Sequence, residues 1–252
     1  MCGCDSTRWP PTPTTSRGSI LIKLDEQGLA SLASDRSIRA AESSGDPLAL
    51  GSSARILTHT LMSGGHLTRA TQLASDMAAQ LDSNVARATP ESLSVYGALL
   101  LRGSIAAANN DDRSTALTLL DEANKAGQRL GAEGNYHSTA FGPTNVQLHR
   151  VNISTTLGDA GMAIDQARHV DLDQVSVLER RAMLYVDVAR AYNQWGRYEQ
   201  AYKAIRQAET IAPEEVRFRP AVHRLIADLV VRSPRSVQSQ IREYANQLGV
   251  RT

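Results

Sequence analysis

The chain has 252 residues, of which 42% are apolar, and its formal net charge at pH 7 is +1. This length suits one extended repeat domain or two small domains, and the apolar share is ample for a continuous core. The near-zero charge argues against a nucleic-acid footprint spread over the whole surface, because DNA-binding domains carry a strongly basic patch or stripe.

The positions of the cysteines and the lengths of the apolar runs indicate the cellular compartment of the protein. Both cysteines, Cys2 and Cys4, lie at the N-terminus. The body of the chain therefore has no disulfide framework, which is typical of a reducing cytoplasm. A metal site at this Cys-Gly-Cys would need two further ligands that the nearby sequence does not supply. No apolar run approaches the roughly 20 residues of a membrane span. We therefore expect a cytoplasmic protein with no cofactor, no metal and no membrane partner.

The chain begins with a Pro/Thr/Ser-rich tail, residues 1–18, which lacks apolar periodicity and is predicted to be disordered. Residues 19–249 then show one helical segment after another and are predicted to form a single helical repeat domain. Proline is tolerated in the first turn of a helix and breaks its interior, so the six prolines of this domain predict helix starts. These prolines are Pro47, Pro90, Pro143, Pro213, Pro220 and Pro234.

Capping residues support the same boundaries. Asp46, Thr89 and Ser233 each precede one of these prolines and are predicted N-caps. Ser176 and Glu179 have the spacing of a capping box, which predicts a helix start there.

The repeats are clearest in residues 182–213, AMLYVDVARAYNQWGRYEQAYKAIRQAETIAP, where large, small and turn residues follow the tetratricopeptide pattern. Small alanines recur in the second helices, at Ala30, Ala70, Ala116, Ala163 and Ala201. Their separations of 40, 46, 47 and 38 residues exceed the strict period of about 34. Gly65, Gly158 and Gly196 recur at the turns within the pairs. Because such helix pairs bury their apolar faces only by stacking, we predict an all-α, tetratricopeptide-like right-handed α-solenoid of about five to six helical hairpins.

Several segments carry a resemblance to a known family. YHSTAFGPTNVQLHRV (136–151), VLERRAMLYVDVARAYNQWGR (177–197) and APEEVRFRPAVHRLI (212–226) resemble the C-terminal region of actinobacterial transcriptional regulators. Those proteins join a Cro/repressor-type helix-turn-helix domain to a tetratricopeptide-like sensor region. The resemblance extends roughly from Leu21 to Arg232, and its most specific part is the FGPTNV motif. It implies a tetratricopeptide-like fold and a sensor role.

The N-terminus departs from that family. The family's DNA-binding domain would precede Leu21, where this chain has about 20 residues that cannot supply the packed helices of a helix-turn-helix. The domain is lost, or the start site is misassigned, or the chain is a stand-alone sensor. We expect no direct DNA binding from this chain.

Polar residues at inward positions of the first helices are the main candidates for a binding site. In such solenoids these helices line the concave face. The polar residues predicted there are Arg55, His59, Asn145, Asn152, Arg190 and Asn193. Arginine and asparagine hold carboxylates or peptide backbone through charge-assisted or paired hydrogen bonds. The alternative is a solvated polar face, and we interpret Arg180 and Arg181 beside Glu179 as such a face.

The connection between Gly131 and Pro143 is long, and long loops in compact folds are often functional. It carries Tyr136, His137 and Phe141, which mix aromatic and polar character as pockets do. The alternative is structural, with Tyr136 and Phe141 filling the gap between two helix pairs.

Motifs of catalysis are missing from the sequence. We find no phosphate loop, no GxSxG and no HExxH, so we do not expect an enzyme. In one hypothesis the chain senses a peptide or small-molecule effector in a concave groove, and the ligand favours one superhelical curvature. In the other it is a scaffold that docks a protein partner without a small-molecule ligand. An uncapped end of the array would also expose apolar surface, which favours a homodimer through an end helix.

Overall fold

The computed structural model describes residues 20–22, 24, 26–82 and 89–251, with the side chain of residue 82 excepted. The predicted disordered tail, residues 1–18, lies outside these residues. Within them the regular elements are helices and no strand is found, so the prediction of an all-α protein is confirmed.

The helices follow one another with short connections. They are α1 (Gln27–Ser44), α2 (Pro47–Ser63), α3 (Leu67–Asp82), α4 (Pro90–Asn109), α5 (Arg113–Leu130), α6 (Pro143–Thr156), α7 (Ala160–Arg168), α8 (Leu178–Gln194), α9 (Tyr198–Ile211), α10 (Pro213–Arg217), α11 (Pro220–Arg232) and α12 (Arg235–Gln247). Single turns of 3-10 helix occur at Tyr136–Ser138 and Leu172–Gln174.

Proline predicts the helix starts well. Five of the six prolines are the first residue of a helix, and Pro234 is the N-cap of α12. Asp46 accepts a hydrogen bond from the Leu48 amide at 2.8 Å, and Thr89 accepts one from the Ser92 amide at 3.2 Å, as expected of N-caps.

Two capping predictions are wrong. The Ser233 hydroxyl is buried without a hydrogen-bond partner, because α12 begins after Pro234. The capping box of Ser176 and Glu179 does not form, since α8 begins at Leu178. Glu179 instead accepts a hydrogen bond from Arg219 at 2.7 Å, which draws its carboxylate away from the helix end.

The helices pack in chain order. Helices α2, α4, α6, α8 and α11, which we call the inner helices, each contact the next one in this series. Each inner helix is followed by a partner, and the partners α3, α5, α7 and α9 also contact the next inner helix. Helix α1 packs on α2. Within the pairs the predicted turn glycines adopt left-handed backbone, with φ of 77° at Gly65, 83° at Gly158 and 73° at Gly196, and Asp111 takes the same place between α4 and α5.

Small residues allow the helices to approach closely. The five aligned alanines of the sequence pattern are all buried, with at most 1% of their surface exposed. On α2, Gly51 faces α4, and a Cβ there would lie 2.8 Å from a methyl group of Val95. On α4, Gly97 lies against the ring of Phe141, which is fully buried ahead of α6.

We expect Gly97→Ala to destabilise the fold by about 1–3 kcal/mol, because the added methyl overlaps the Phe141 ring in a packed core. Urea unfolding measures the change. The matched control is Gly161→Ala on α7, where a Cβ meets nothing within 4 Å. Alanine lowers the backbone entropy of the unfolded chain, which stabilises the fold by up to about 1 kcal/mol. Equal stability of the two variants would contradict the packing described here.

Candidate functional site

Four basic side chains from four successive inner helices lie close enough for their charges to interact. They are Arg55 on α2, Arg102 on α4, His149 on α6 and Arg180 on α8, and we call them the inner cluster. The charge of Arg180 lowers the pKa of each of the other three, and Arg102 also lowers that of His149. The packing of the inner helices thus brings three arginines and a histidine within range of one another's charge.

Arg180 is held in place by two hydrogen bonds. It donates to the Asn145 Oδ1 at 2.7 Å and to the Thr139 carbonyl at 3.0 Å. Asn145 and Thr139 are both buried, with 3% and 1% exposed. Burial lowers the pKa of Arg180, although the nearby Glu179 and Glu133 raise it. The guanidinium therefore joins α8 to α6 and to the loop before α6.

Arg55 and Arg102 lack such partners among the residues that the structure describes. Only 9% of Arg55 is exposed, and its buried Nε has no hydrogen-bond acceptor. Burial, followed by the charge of Arg180, lowers the pKa of Arg55 to about 10. Burial, followed by the charges of Arg55 and Arg180, lowers the pKa of the half-buried Arg102 to about 9. Both remain charged at pH 7, and leaving such donors without acceptors costs free energy.

His149 is neutral at physiological pH. Burial, then the charges of Arg180 and Arg102, lower the pKa of His149 to about 3. Its Nδ1 lies 2.8 Å from the Asn145 carbonyl. Because a carbonyl only accepts, Nδ1 carries the proton and Nε2 is left as an acceptor.

A second set of polar contacts links the inner helices farther along the chain. Asn152 donates to Asp187 at 2.9 Å, and Arg190 pairs with the same carboxylate at 3.1 Å. Burial raises the pKa of Asp187, whereas Arg190 and Asn152 lower it. Asn193 donates in the same way to Asp228 at 2.6 Å, and its own Oδ1 is buried without a donor.

The loop between α5 and α6 is ordered and strained. His137, Ser138 and Ala140 have φ of 49°, 55° and 46°, a left-handed region that non-glycine residues seldom adopt. The Asn135 side chain accepts a hydrogen bond from the Ala140 amide at 3.0 Å. Glu133 accepts one from Thr144 at 2.6 Å. Backbone strain of this kind clusters at functional sites.

The predicted binding residues fall into three groups. Arg55 belongs to the inner cluster, Asn145 supports it, and His59 is half-buried one turn beyond Arg55. Asn152 and Asn193 bind the carboxylates of neighbouring inner helices, and Arg190 pairs with Asp187 on its own helix. Tyr136 and His137 lie on the loop, Tyr136 with 38% exposed, whereas Phe141 is fully buried as in the structural alternative. Ligand contact by these residues stays a prediction.

Sequence reasoning missed three of the four members of the inner cluster. Arg102 and His149 were not among the candidates, and Arg180 is not part of a solvated face. Arg102 did leave a signal, because it is the one charged residue in the apolar stretch LSVYGALLLRGSIAAA, 93–108. His149 and Arg180 left none, since their helices have polar residues on several sides.

Comparison with models of known protein families and with curated proteins gives no match. None of the helices within the described ranges is long and apolar enough to cross a membrane. The same part of the chain holds no group of three or more His, Cys, Asp or Glu residues that could bind a metal ion.

We expect the folding stability of the protein to fall as the pH drops below about 6.5 toward 3, in part through His149. Its folded pKa lies below its unfolded value, so the unfolded state binds more protons in that window and stability is complete above it. Urea unfolding at pH 7 and pH 5 should show a smaller loss for His149→Gln than for the wild type. His169→Gln is the control, since the exposed His169 bonds the Asp165 carbonyl in the same way. An unchanged pH slope for His149→Gln would contradict a neutral His149.

Proposed function

We propose that this chain is a tetratricopeptide-like regulatory module that binds a ligand on its inner helices, and that it is the sensor part of a bacterial transcriptional regulator. The observation that carries the proposal is the inner cluster, to which four successive inner helices each contribute one basic side chain and in which the buried Nε of Arg55 has no hydrogen-bond partner within the described residues.

The packing order supports the proposed solenoid of helical hairpins. Each inner helix contacts the next inner helix and the partner of the one before, which is the nearest-neighbour pattern of repeat proteins. Residues that bond across α6, α8 and α11 are 35 apart, as in Asn152–Asp187 and Asn193–Asp228. This spacing is close to the tetratricopeptide period of about 34 residues. The aligned alanines lie farther apart because the stretch between two of them also contains the connection from one hairpin to the next.

The unpartnered cations support ligand binding. In folded proteins nearly all buried polar groups have a hydrogen-bond partner, so each exception calls for an explanation. A bound ligand that accepts hydrogen bonds from Arg55 and Arg102 supplies one. Among the described residues the Nε of Arg55 is the one arginine atom that is buried without a partner.

The position of the cluster supports regulation. In a repeat array each unit contacts only its neighbours, so the curvature is set by small rotations between units. A ligand that contacts α2, α4 and α8 together restrains three units at once. It thereby favours the arrangement that fits it, which is a population shift.

The first experiment is native mass spectrometry of the purified protein after incubation with the dialysable fraction of a cell extract. We expect a small molecule bound to the wild type and lost on unfolding. The Arg55→Met variant tests whether that molecule uses the inner cluster, and Arg168→Met, on the exposed side of α7, is the control for loss of one charge. A wild type that retains nothing from the fraction would refute the sensor proposal.

The alternative, a scaffold that docks another protein, is favoured by the apolar surface of α1. Leu29 and Leu32 are 54% and 48% exposed and lie three residues apart on one helix face. Ile20 and Leu24, just before α1, are exposed as well.

We expect that, if this end of the array forms a homodimer, Leu29→Glu combined with Leu32→Glu shifts the protein to monomer, because charged side chains in an apolar contact are costly to bury. Analytical ultracentrifugation measures the shift, and Leu117→Glu on α5, with 39% exposed, is the control. A wild type that is monomeric at all concentrations would exclude the homodimer.

A further inference from the structure

We propose that the inner cluster binds the anionic group of a small-molecule effector, a carboxylate or a phosphate, between the guanidinium groups of Arg55, Arg102 and Arg180. The inference rests on the proposed function and adds the chemical class of the ligand.

The arginines of the inner cluster outnumber the carboxylates near them. The carboxylates whose charge acts on these arginines are Glu179 and Glu133. Both are engaged elsewhere, Glu179 with Arg219 at 2.7 Å and Glu133 with the Thr144 amide at 2.6 Å. Within the described ranges neither forms an ion pair with Arg55 or Arg102. Within the described residues the three arginines of the cluster thus have two acidic neighbours, both bonded to other groups, and carry an excess of positive charge.

The guanidinium groups of Arg55 and Arg102 lack partners within the described residues. They are not satisfied by aromatic stacking, since the cation–π pairs in the described part of the chain involve Arg197, Arg206 and Arg232. Within the described ranges Arg55 and Arg102 have neither a hydrogen-bond acceptor nor a paired carboxylate, whereas Arg180 has two neutral acceptors. An oxyanion supplies both acceptors and a negative charge, because its oxygens match the planar fork of arginine and accept two parallel hydrogen bonds.

The positions of Arg180 and Arg55 also suit a small anion. Arg180 is fixed by Asn145 and Thr139, so one donor is already positioned before the ligand arrives. It lies in the first turn of α8, where the helix dipole adds positive potential. Arg55 is only 9% exposed, so the backbone of a duplex cannot reach it.

His149 gives the site a spectroscopic reporter. The charges of Arg180 and Arg102 hold the pKa of His149 low, against the hydrogen bond to the Asn145 carbonyl. A bound anion offsets those two charges, so the pKa of His149 rises when the anion binds.

The experiment titrates the full chain with inorganic phosphate or with succinate at constant ionic strength, with chloride as the reference. Calorimetry gives the affinity, and the NMR titration of the His149 ring gives its pKa. We expect one of the two probes to bind more tightly than chloride and to raise the pKa of His149. The probe that binds identifies the group as phosphate or carboxylate.

Arg55→Met and Arg102→Met should each weaken binding about 10- to 100-fold, as expected for loss of a hydrogen bond to a charged group, whereas Arg168→Met should not.

The stability of the variants without ligand separates this role from a structural one. Removing an unpaired, repelled cation should leave the melting temperature of Arg102→Met equal to or above that of the wild type. A lower melting temperature with unchanged anion affinity, or a wild type that binds neither probe more tightly than chloride, would overturn the inference. A neutral molecule found by native mass spectrometry would leave the proposed function intact and refute only the anion.

Discussion

Close contact between consecutive inner helices is the constraint on which the rest of the structure depends. Gly51 lets α4 approach α2, and Gly97 makes room for the Phe141 ring between α4 and α6. Arg55 follows Gly51 by one helical turn, and Arg102 follows Gly97 by five residues. Gly51 therefore sets the distance between α2 and α4, the helices that carry Arg55 and Arg102.

The polar residues of the inner helices divide into two halves with opposite chemistry. Toward α11, asparagine and aspartate pair across neighbouring helices, as in Asn152–Asp187 and Asn193–Asp228, and charge-assisted bonds of this kind contribute about 1.5–3 kcal/mol each. Toward α2, cations face cations. In the half toward α11, hydrogen bonds between side chains join neighbouring repeats. In the half toward α2, no side chain within the described part of the chain accepts a hydrogen bond from Arg55 or Arg102.

Much of the fold could be predicted from the sequence, because helix starts and small-residue crossings are local. Five prolines open helices, Asp46 and Thr89 cap them, and the aligned alanines are buried. The site could be predicted only in part. Periodicity identifies the apolar side of a helix, but it does not say which polar residues of successive helices meet, since that depends on the register between them. Arg180 and His149 were missed for this reason. The capping box at Ser176 failed because a tertiary partner, Arg219, binds Glu179.

The strained loop before α6 depends in part on Arg180. Three non-glycine residues with positive φ cost of order 1–3 kcal/mol each, and such a backbone persists only where its surroundings enforce it. Part of that enforcement is the hydrogen bond from Arg180 to the Thr139 carbonyl. The same guanidinium therefore fastens the loop and joins α8 to α6. Any displacement of Arg180 releases the Thr139 carbonyl, so movement of α8 relative to α6 and relaxation of the loop form a single thermodynamic cycle.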